Sequence, residues 1–326
     1  MADASVAARL ARRALPDELF DKSWPRRDRF GLGACWLAGI SLVAISAGIV
    51  LWLFVNGVGE LSVKLLTTDP LPNFDQINSG GIATPIVGTI LLSLIGIAIA
   101  LPLGVAIAVW LTEYGKPASL ARAVESAVEV VAGTPSIVLA IFGLAVFSQT
   151  IFGFLSFTDE GGAVFGRSFL TSGAIMSLLA LPLVVGSVRE SLQSVPGHVR
   201  EASYALGKTR SSTIRRVLLP MCRPGIVTGG ALGMGRIIGD TAIVLVLLGG
   251  SLTMSVERYW QPGNWFESLQ GTGSTLTTYV YGASPAGEGN SPQKAFAAAF
   301  MLLLIVLVLN IVVERLTRVG QQEEAT

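Results

Sequence analysis

Two charged residues stand four positions apart inside an otherwise apolar run, residues 224–252. In a continuous helix Arg236 lies about twelve residues from the start, roughly 18 Å along the axis and near the middle of a bilayer. A charge at that depth costs about 2.5–3.5 kcal/mol on insertion scales, so such residues usually face a cavity and mark an ion path. The planar guanidinium of Arg236 suits a tetrahedral oxyanion, and Asp240 lies on the same helix face, where the two can pair. A purely structural ion pair is the alternative.

A second polar interruption lies in another apolar run, where Thr134 and Ser136 flank Pro135. The proline removes a backbone donor and frees a carbonyl, so this point predicts a helix kink whose freed groups are satisfied by neighbouring helices. Hydroxyl groups that line an ion path are the other interpretation.

The segment 195–223 is basic and patterned like two short helices. Apolar residues recur at helical spacing from Val199 to Leu206, and Gly207 is expected to end the first helix. The second helix is predicted to begin near Ser211 or Ser212 and to end before Pro220. Taken alone, the pattern also fits an amphipathic hairpin at a membrane surface.

The composition places these residues in a membrane protein. The 326 residues are 51% hydrophobic and only 14% charged, whereas soluble proteins carry about 25% charged residues. A helix needs roughly 20 apolar residues to cross a bilayer, and six stretches meet this requirement. We therefore predict an all-α integral membrane protein with six transmembrane helices, at residues 31–59, 82–111, 130–155, 169–188, 224–252 and 295–313.

The distribution of Lys and Arg predicts the orientation. Seven lie in the first thirty residues and seven in the segment 189–223, whereas the three alternate loops together hold four. Residues 1–30 and 314–326 are therefore expected to be cytoplasmic tails. The net charge of +1 argues against a nucleic-acid partner. The two cysteines, Cys35 and Cys222, predict no disulfide.

The basic segment resembles the EAA loop of the permease subunits of bacterial ABC importers. Glu201-Ala202-Ser203 is followed after three residues by Gly207, and after nine more by Val217-Leu218-Leu219-Pro220. The family has alanine in place of Ser203 and isoleucine in place of Val217. The resemblance implies a coupling helix that docks on a separate ATPase subunit, with contacts from Glu201, Ala202, Gly207, Leu219 and Pro220. No phosphate-binding loop occurs in this sequence. The chain itself is therefore not expected to be an enzyme or to bind a cofactor. ATP and Mg²⁺ are expected to be held by the partner ATPase subunit.

Further segments are similar to the PstA-type permeases of phosphate importers. They are residues 80–82, 86–89, 101–104, 111–114, 133–138, 142–144 and 276–281. The run Arg236-Ile-Ile-Gly-Asp240-Thr241-Ala242 resembles that family's arginine and G-E-T-A segment, with Asp240 in place of glutamate. The resemblance implies a phosphate pathway formed by Arg236, Asp240, Thr241, Thr134 and Ser136. In this hypothesis phosphate competes for Arg236, and Asp240 accepts the proton of hydrogen phosphate, which sulfate lacks.

The resemblance also implies an assembly. A PstC-type permease would complete a heterodimer, two PstB-type subunits would supply the ATPase, and a PstS-type protein would deliver phosphate from outside the bacterial cytoplasmic membrane. Span 31–59 would be peripheral, and residues 82–313 would form the translocation core, which works by alternating access. The sister PstC type ranks second, followed by permeases for molybdate, sulfate or phosphonate. A secondary transporter is the rival class, which inverted repeats would favour, and none is seen.

Overall fold

A computed structural model describes residues 26–71, 79–158, 161–255, 262–284 and 291–323, and the chain divides into two compact units, residues 1–52 and 53–326. Within those ranges the regular structure is helical, apart from isolated bridges between Pro70 and Gly80 and between Thr158 and Val164. The all-α class expected from the composition is therefore confirmed.

Most of the long helices coincide with the apolar stretches. Three short 3₁₀ turns, at Val58–Glu60, Thr150–Leu155 and Pro262–Asn264, lie between them. A π-helical turn, Trp110–Tyr114, extends α3. The helices are α1 (Arg26–Gly57), α2 (Val63–Thr67), α3 (Ala83–Val109), α4 (Ala118–Gly133), α5 (Ser136–Phe147), α6 (Phe169–Ser194), α7 (Gly197–Ala205), α8 (Arg210–Met221), α9 (Arg223–Ile238), α10 (Ala242–Leu247), α11 (Trp265–Gln270), α12 (Leu276–Ala283) and α13 (Pro292–Glu323).

Four of these helices, α1, α3, α6 and α13, are long and apolar enough to cross a membrane unaided. Two further candidates are bent pairs, α4 with α5 at 108° and α8 with α9 at 67°. The described chain therefore has six spans if each bent pair counts as one. The first bend lies at Pro135, where the sequence predicts a kink, and the second lies at Cys222, between the predicted second helix of the basic segment and the predicted start of span five at residue 224.

The third predicted span, 130–155, breaks at Thr134 and Pro135. Thr134 adopts an extended conformation, and α5 then begins after Pro135 and runs for only 12 residues. Proline cannot donate the hydrogen bond that would continue α4, and it disfavours helical geometry in the residue before it. Charged residues on the amphipathic α4, such as Arg122 and Glu129, hid its helical character from a search for apolar runs.

Span five ends earlier than predicted. Helix α9 stops at Ile238, residues 239–241 interrupt it, and the short α10 follows. The interruption begins after Arg236 and includes Asp240, so it changes the relation of the two residues that the sequence singles out.

The core of the second unit lies where α3, α6, α9 and α10 meet. Phe169, Met176, Ile237 and Leu247 are buried there. Glycines bring the helix axes close together, since a Cβ added at Gly104 would lie 2.5 Å from Cγ1 of Val184. Small residues at contacts of this kind are typical of packed membrane helices. The close packing makes α3, α6 and α9 a rigid frame for the residues that they carry.

Candidate translocation and coupling sites

Arg236 and Asp240 do not form the ion pair that the sequence predicts. Among the described residues the ion pairs are Arg189–Glu125 and Arg200–Glu113. Arg236 is exposed in the last turn of α9. Asp240 is only 4% exposed, and its Oδ1 accepts a hydrogen bond of 2.9 Å from the backbone N–H of Ile243. The helix ends between the two residues, so the spacing of four no longer places them on one face.

Asp240 therefore acts as a cap for α10. A carboxylate that accepts a hydrogen bond from the backbone N–H three residues later satisfies one of the donors left free at the start of a helix. The negative charge also lies at the positive end of the short helix dipole. Arg236 keeps its guanidinium free of this carboxylate.

A groove of about 530 Å³ runs beside this break. Thr241, one of the predicted pathway residues, contributes to its lining, and Thr277 in the groove donates a hydrogen bond of 3.4 Å to the backbone carbonyl of Asp240. Three of the lining residues belong to α12. The lining residues are Thr241, Ala242, Leu245, Thr277, Val280, Tyr281 and Ser284. The hydroxyls of Thr277, Tyr281 and Ser284 were not among the predicted pathway residues, although the resemblance over residues 276–281 pointed to their helix.

The start of α12 is firmly held, which positions the groove. Thr275 and Thr278 form reciprocal side-chain to backbone bonds at its N-terminus. The N–H of Leu276 donates to the hydroxyl of Thr89 on α3 at 2.9 Å. Residues of α12 and α3 are thus locked together beside the break in span five.

Thr134 and Ser136 lie at the bend between α4 and α5, and neither lines this groove. The hydroxyl of Thr134 donates to the carbonyl of Val130 at 2.7 Å. Helix α5 packs on α10, with Gly143 against Leu247. The structure therefore brings Thr241 and Asp240 together but leaves Thr134 and Ser136 at a separate bend.

The basic segment folds as two helices with a sharp turn, as the sequence predicts. Helix α7 ends at Ala205, and Gly207 has a left-handed φ of 74°, a conformation that glycine adopts without strain. The second helix begins at Arg210, earlier than predicted, because the hydroxyl of Thr209 caps it by accepting from the N–H of Ser212. After a π turn at Ile214–Leu218, this helix continues past Pro220 and ends at Met221.

The residues expected to contact an ATPase differ in exposure. Glu201, Ala202 and Gly207 are exposed, whereas Leu219 and Pro220 are half-buried. The departure at Ser203 has a structural reason. Its hydroxyl lies 2.8 Å from the hydroxyl of Thr213, both are buried, and the bond ties the two helices of the hairpin.

The described residues contain no cluster of three His, Cys, Asp or Glu side chains that would hold a metal ion. The site consists of hydroxyls and backbone groups that line one groove, while Arg236 lies before the break in the last turn of α9 and is not among the lining residues. An exposed helical hairpin lies elsewhere in the chain. This combination fits recognition and movement of a ligand.

Known proteins resemble this chain in sequence and in fold. The family described as the binding-protein-dependent transport system inner membrane component matches residues 100–321. The chain is 33% identical over 233 residues to the phosphate transport system permease protein PstA 1 of Mycobacterium tuberculosis, covering 72% of this chain and 68% of the relative. It is 32% identical over 239 residues to the phosphate transport system permease protein PstC of Mycobacterium leprae, covering 69% of this chain and 71% of the relative.

A solved structure of a bacterial alginate ABC transporter, in complex with its pentasaccharide-bound periplasmic protein, matches with a TM-score of 0.61. The alignment covers 90% of this chain and 95% of that chain at 15% identity, so it supports the fold alone. Since the family match covers more than half of the sequence, and a relative above 30% identity matches over more than two thirds of it, the chain belongs to the inner membrane components of binding-protein-dependent transport systems, the MetI-like permeases of ABC importers.

Proposed function

We propose that this chain is the permease subunit that carries inorganic phosphate across the bacterial cytoplasmic membrane, driven by a separate ATPase. The observation that carries the proposal is the exposed hairpin formed by α7 and α8, called the α7 hairpin below. It has EAA-like spacing, and the relatives of the chain are named phosphate transport permeases. Glu201, Ala202, Gly207, Leu219 and Pro220 form the docking surface for the ATPase. That partner holds ATP and Mg²⁺, and this chain binds no cofactor.

Phosphate passes beside the break in span five. Arg236 supplies a planar set of donors for the anion, and Thr241 adds a hydroxyl from the groove. Because Arg236 is not paired with Asp240, the anion has no internal carboxylate to displace. Thr134 and Ser136 contribute hydroxyls at the second bend, where the path widens or closes as α4 and α5 move.

The partners follow from the same proposal. A PstC-type permease faces Arg236 and the break in span five that holds Asp240, and it encloses the path. A PstB-type ATPase dimer binds the two hairpins, and a PstS-type protein delivers phosphate on the opposite side. Both termini lie in the cytoplasm together with the hairpin, in agreement with the positive charges in the tail and in segment 189–223.

The PstA role is the first choice over the PstC role because residues 236–242 and 276–281 resemble the PstA type. Relatives of both types match at similar identity. Co-expression of this chain with a tagged PstC-type or a tagged PstA-type permease distinguishes the two roles. Recovery with the PstC-type partner alone supports the assignment, and recovery with the PstA-type partner alone reverses it.

Uptake of radiolabelled phosphate into proteoliposomes tests the function. The vesicles hold this chain with its neighbouring transporter subunits and enclose ATP. We expect uptake that requires both ATP and the external binding protein. Uptake without ATP, driven by an ion gradient, would instead identify a secondary transporter. ATP-dependent uptake of sulfate, molybdate or phosphonate in preference to phosphate would replace the substrate and keep the class.

Two substitutions separate the capping role of Asp240 from anion discrimination. Asp240→Asn keeps an oxygen acceptor for the N–H of Ile243, so thermal stability should stay near that of the wild type. Asp240→Ala removes the cap and should destabilise α10 by about 1 kcal/mol. If the carboxylate also rejects sulfate, excess sulfate should inhibit phosphate uptake by the Asn variant and not by the wild type. Unchanged sulfate exclusion in a folded Asn variant would leave Asp240 with a structural role only.

A further inference from the structure

Arg200, which immediately precedes Glu201 on α7, joins three elements of the fold. Its Nη2 lies 3.0 Å from Oε1 of Glu113, and its Nε donates a hydrogen bond of 3.1 Å to the same oxygen. It also donates to the carbonyl of Leu192, in the last turn of α6, at 2.9 Å, and to the carbonyl of Val195 at 2.8 Å. One side chain thus fastens α7 both to the turn that follows α3 and to the end of α6.

The acidic partner is deeply placed. The side chain of Glu113 is 5% exposed and that of Arg200 is 21% exposed. The other ion pair of the described chain, Arg189–Glu125, is 38% and 32% exposed and does not involve the hairpin. Screening by water and salt is therefore weaker at Arg200–Glu113 than at Arg189–Glu125.

The turn that carries Glu113 holds the second helix of the hairpin as well. Glu113 and Tyr114 are neighbours in the π-helical turn Trp110–Tyr114, a local geometry often found at functional positions. The guanidinium carbon of Arg210, the first residue of α8, lies 5.2 Å from the centre of the Tyr114 ring. This distance is within the range of a cation–π interaction. Both helices of the hairpin therefore contact the same turn at the end of α3.

Beyond this turn the frame is continuous as far as α9. Gly104 of α3 packs against Val184 of α6, and Gly229 of α9 packs against the same valine. Gly225 of α9 approaches Ser191 of α6, and the Ser187 hydroxyl donates to the Gly225 carbonyl at 2.9 Å. Closely packed helices shift as bodies and do not deform gradually, so a displacement at α6 reaches α9, which carries Arg236.

We propose that Arg200 and Glu113 form a clamp that makes the α7 hairpin move as one body with α3 and α6. Arg200 and Glu113 are positioning residues for ATP-driven transport, and no contact of either with the transported anion is required. This inference rests on the proposed function, because it concerns how force from an ATPase reaches the path. A buried ion pair adds little to stability compared with apolar packing, so the clamp makes its contribution through geometry.

The clamp predicts a loss of coupling in the assembled transporter. Arg200→Lys keeps the charge but cannot supply the same fork to Glu113 and two carbonyls, and Glu113→Gln removes the ionic partner. For each variant we expect the phosphate imported per ATP hydrolysed to fall about tenfold, a size typical of coupling between sites. Arg189→Lys and Glu125→Gln are matched controls in the other ion pair and should leave this ratio unchanged.

Non-additivity tests whether the two residues act together. If they form one clamp, the double variant Arg200→Lys/Glu113→Gln should lose no more coupling than the worse single variant. Losses that multiply would overturn the clamp, as would an unchanged ratio in both single variants. Equal losses in the Arg189 and Glu125 controls would also overturn it, since any ion pair of the region would then serve. Normal recovery of the ATPase with each variant is checked first, and a variant that loses this partner is judged by the distance measurement below.

A distance measurement keeps the test independent of the transported ion. Spin labels replace the exposed His198 on α7 and Leu103 on α3, with both native cysteines substituted. With the clamp intact, the distance between the labels should be the same with and without ATP. In Arg200→Lys the distance should broaden or shift when ATP is added, or broaden already when no ATPase is bound. A constant, narrow distance in this variant would overturn the clamp, whereas failure of phosphate uptake by the wild type would overturn only the proposed function.

Discussion

Replacing Glu201 by Lys should abolish ATP-driven phosphate uptake while leaving the permease folded. Glu201 is exposed on α7, and within the described part of the chain its side chain makes no hydrogen bond or ion pair. Its carboxylate is thus available to another subunit, and reversing its charge turns an attraction into a repulsion. Loss of one member of a charge pair at an interface costs about 2–5 kcal/mol, so uptake should fall about thirtyfold or more.

The same charge change at Glu190 is the matched control. Glu190 is also exposed, but it lies on α6, outside the hairpin. Uptake of labelled phosphate, ATP hydrolysis and recovery of the ATPase on a tagged permease are measured for both variants. We expect Glu201→Lys to lose the ATPase and Glu190→Lys to retain it. Wild-type uptake by Glu201→Lys would remove α7 from the docking surface and with it the main support for the proposed function.

The second large effect is expected at Arg236, which should be required for phosphate uptake. Its guanidinium is exposed and unpaired with Asp240, so its donors are free to meet an anion at the break in span five. A hydrogen bond to a charged group contributes about 1.5–3 kcal/mol, so Arg236→Gln should lower uptake at least about tenfold. Arg236→Lys keeps the charge and loses the planar fork, so its uptake should lie between those of the Gln variant and the wild type.

Arg167→Gln is the control for the loss of one positive charge. Arg167 is exposed just before α6, so it belongs neither to span five nor to the groove lining beside the break. Uptake is measured over a range of phosphate concentrations, together with thermal stability in detergent and ATP hydrolysis. Normal uptake by a folded Arg236→Gln variant would exclude this residue from the pathway. Equal losses in the Arg167 and Arg236 variants would point to a general effect of charge.

The apolar stretches predicted the membrane helices well because hydrophobicity is a local property that each segment carries by itself. The prediction failed where a helix combines a charged segment with an apolar one, as in α4 and α5. There Pro135 marked a kink, but its size of 108° depends on what the two halves pack against. The hairpin was similarly foreseeable from Gly207 and the spacing around it, whereas its second helix started earlier because Thr209 makes the capping bond.

The relation of Arg236 to Asp240 shows the limit of helical spacing. The sequence placed both on one face, and this inference holds only while the helix continues. The break after Ile238 gave Asp240 a different role, as the cap of α10. Residues 236–242 alone do not distinguish an ion pair from a helix cap, because either role requires only the carboxylate of Asp240.

The sequence by itself determined that this chain is a helical membrane protein, that it carries an importer-like hairpin, and that one arginine stands within the apolar run of span five. These features depend on residue type and on short spacings. The tertiary structure decided which side chains meet. Arg200 finds Glu113 across 87 residues, and Leu276 finds Thr89 across 187. Such contacts depend on how whole helices pack, and the side-chain types permit many partners, so only the folded arrangement selects one.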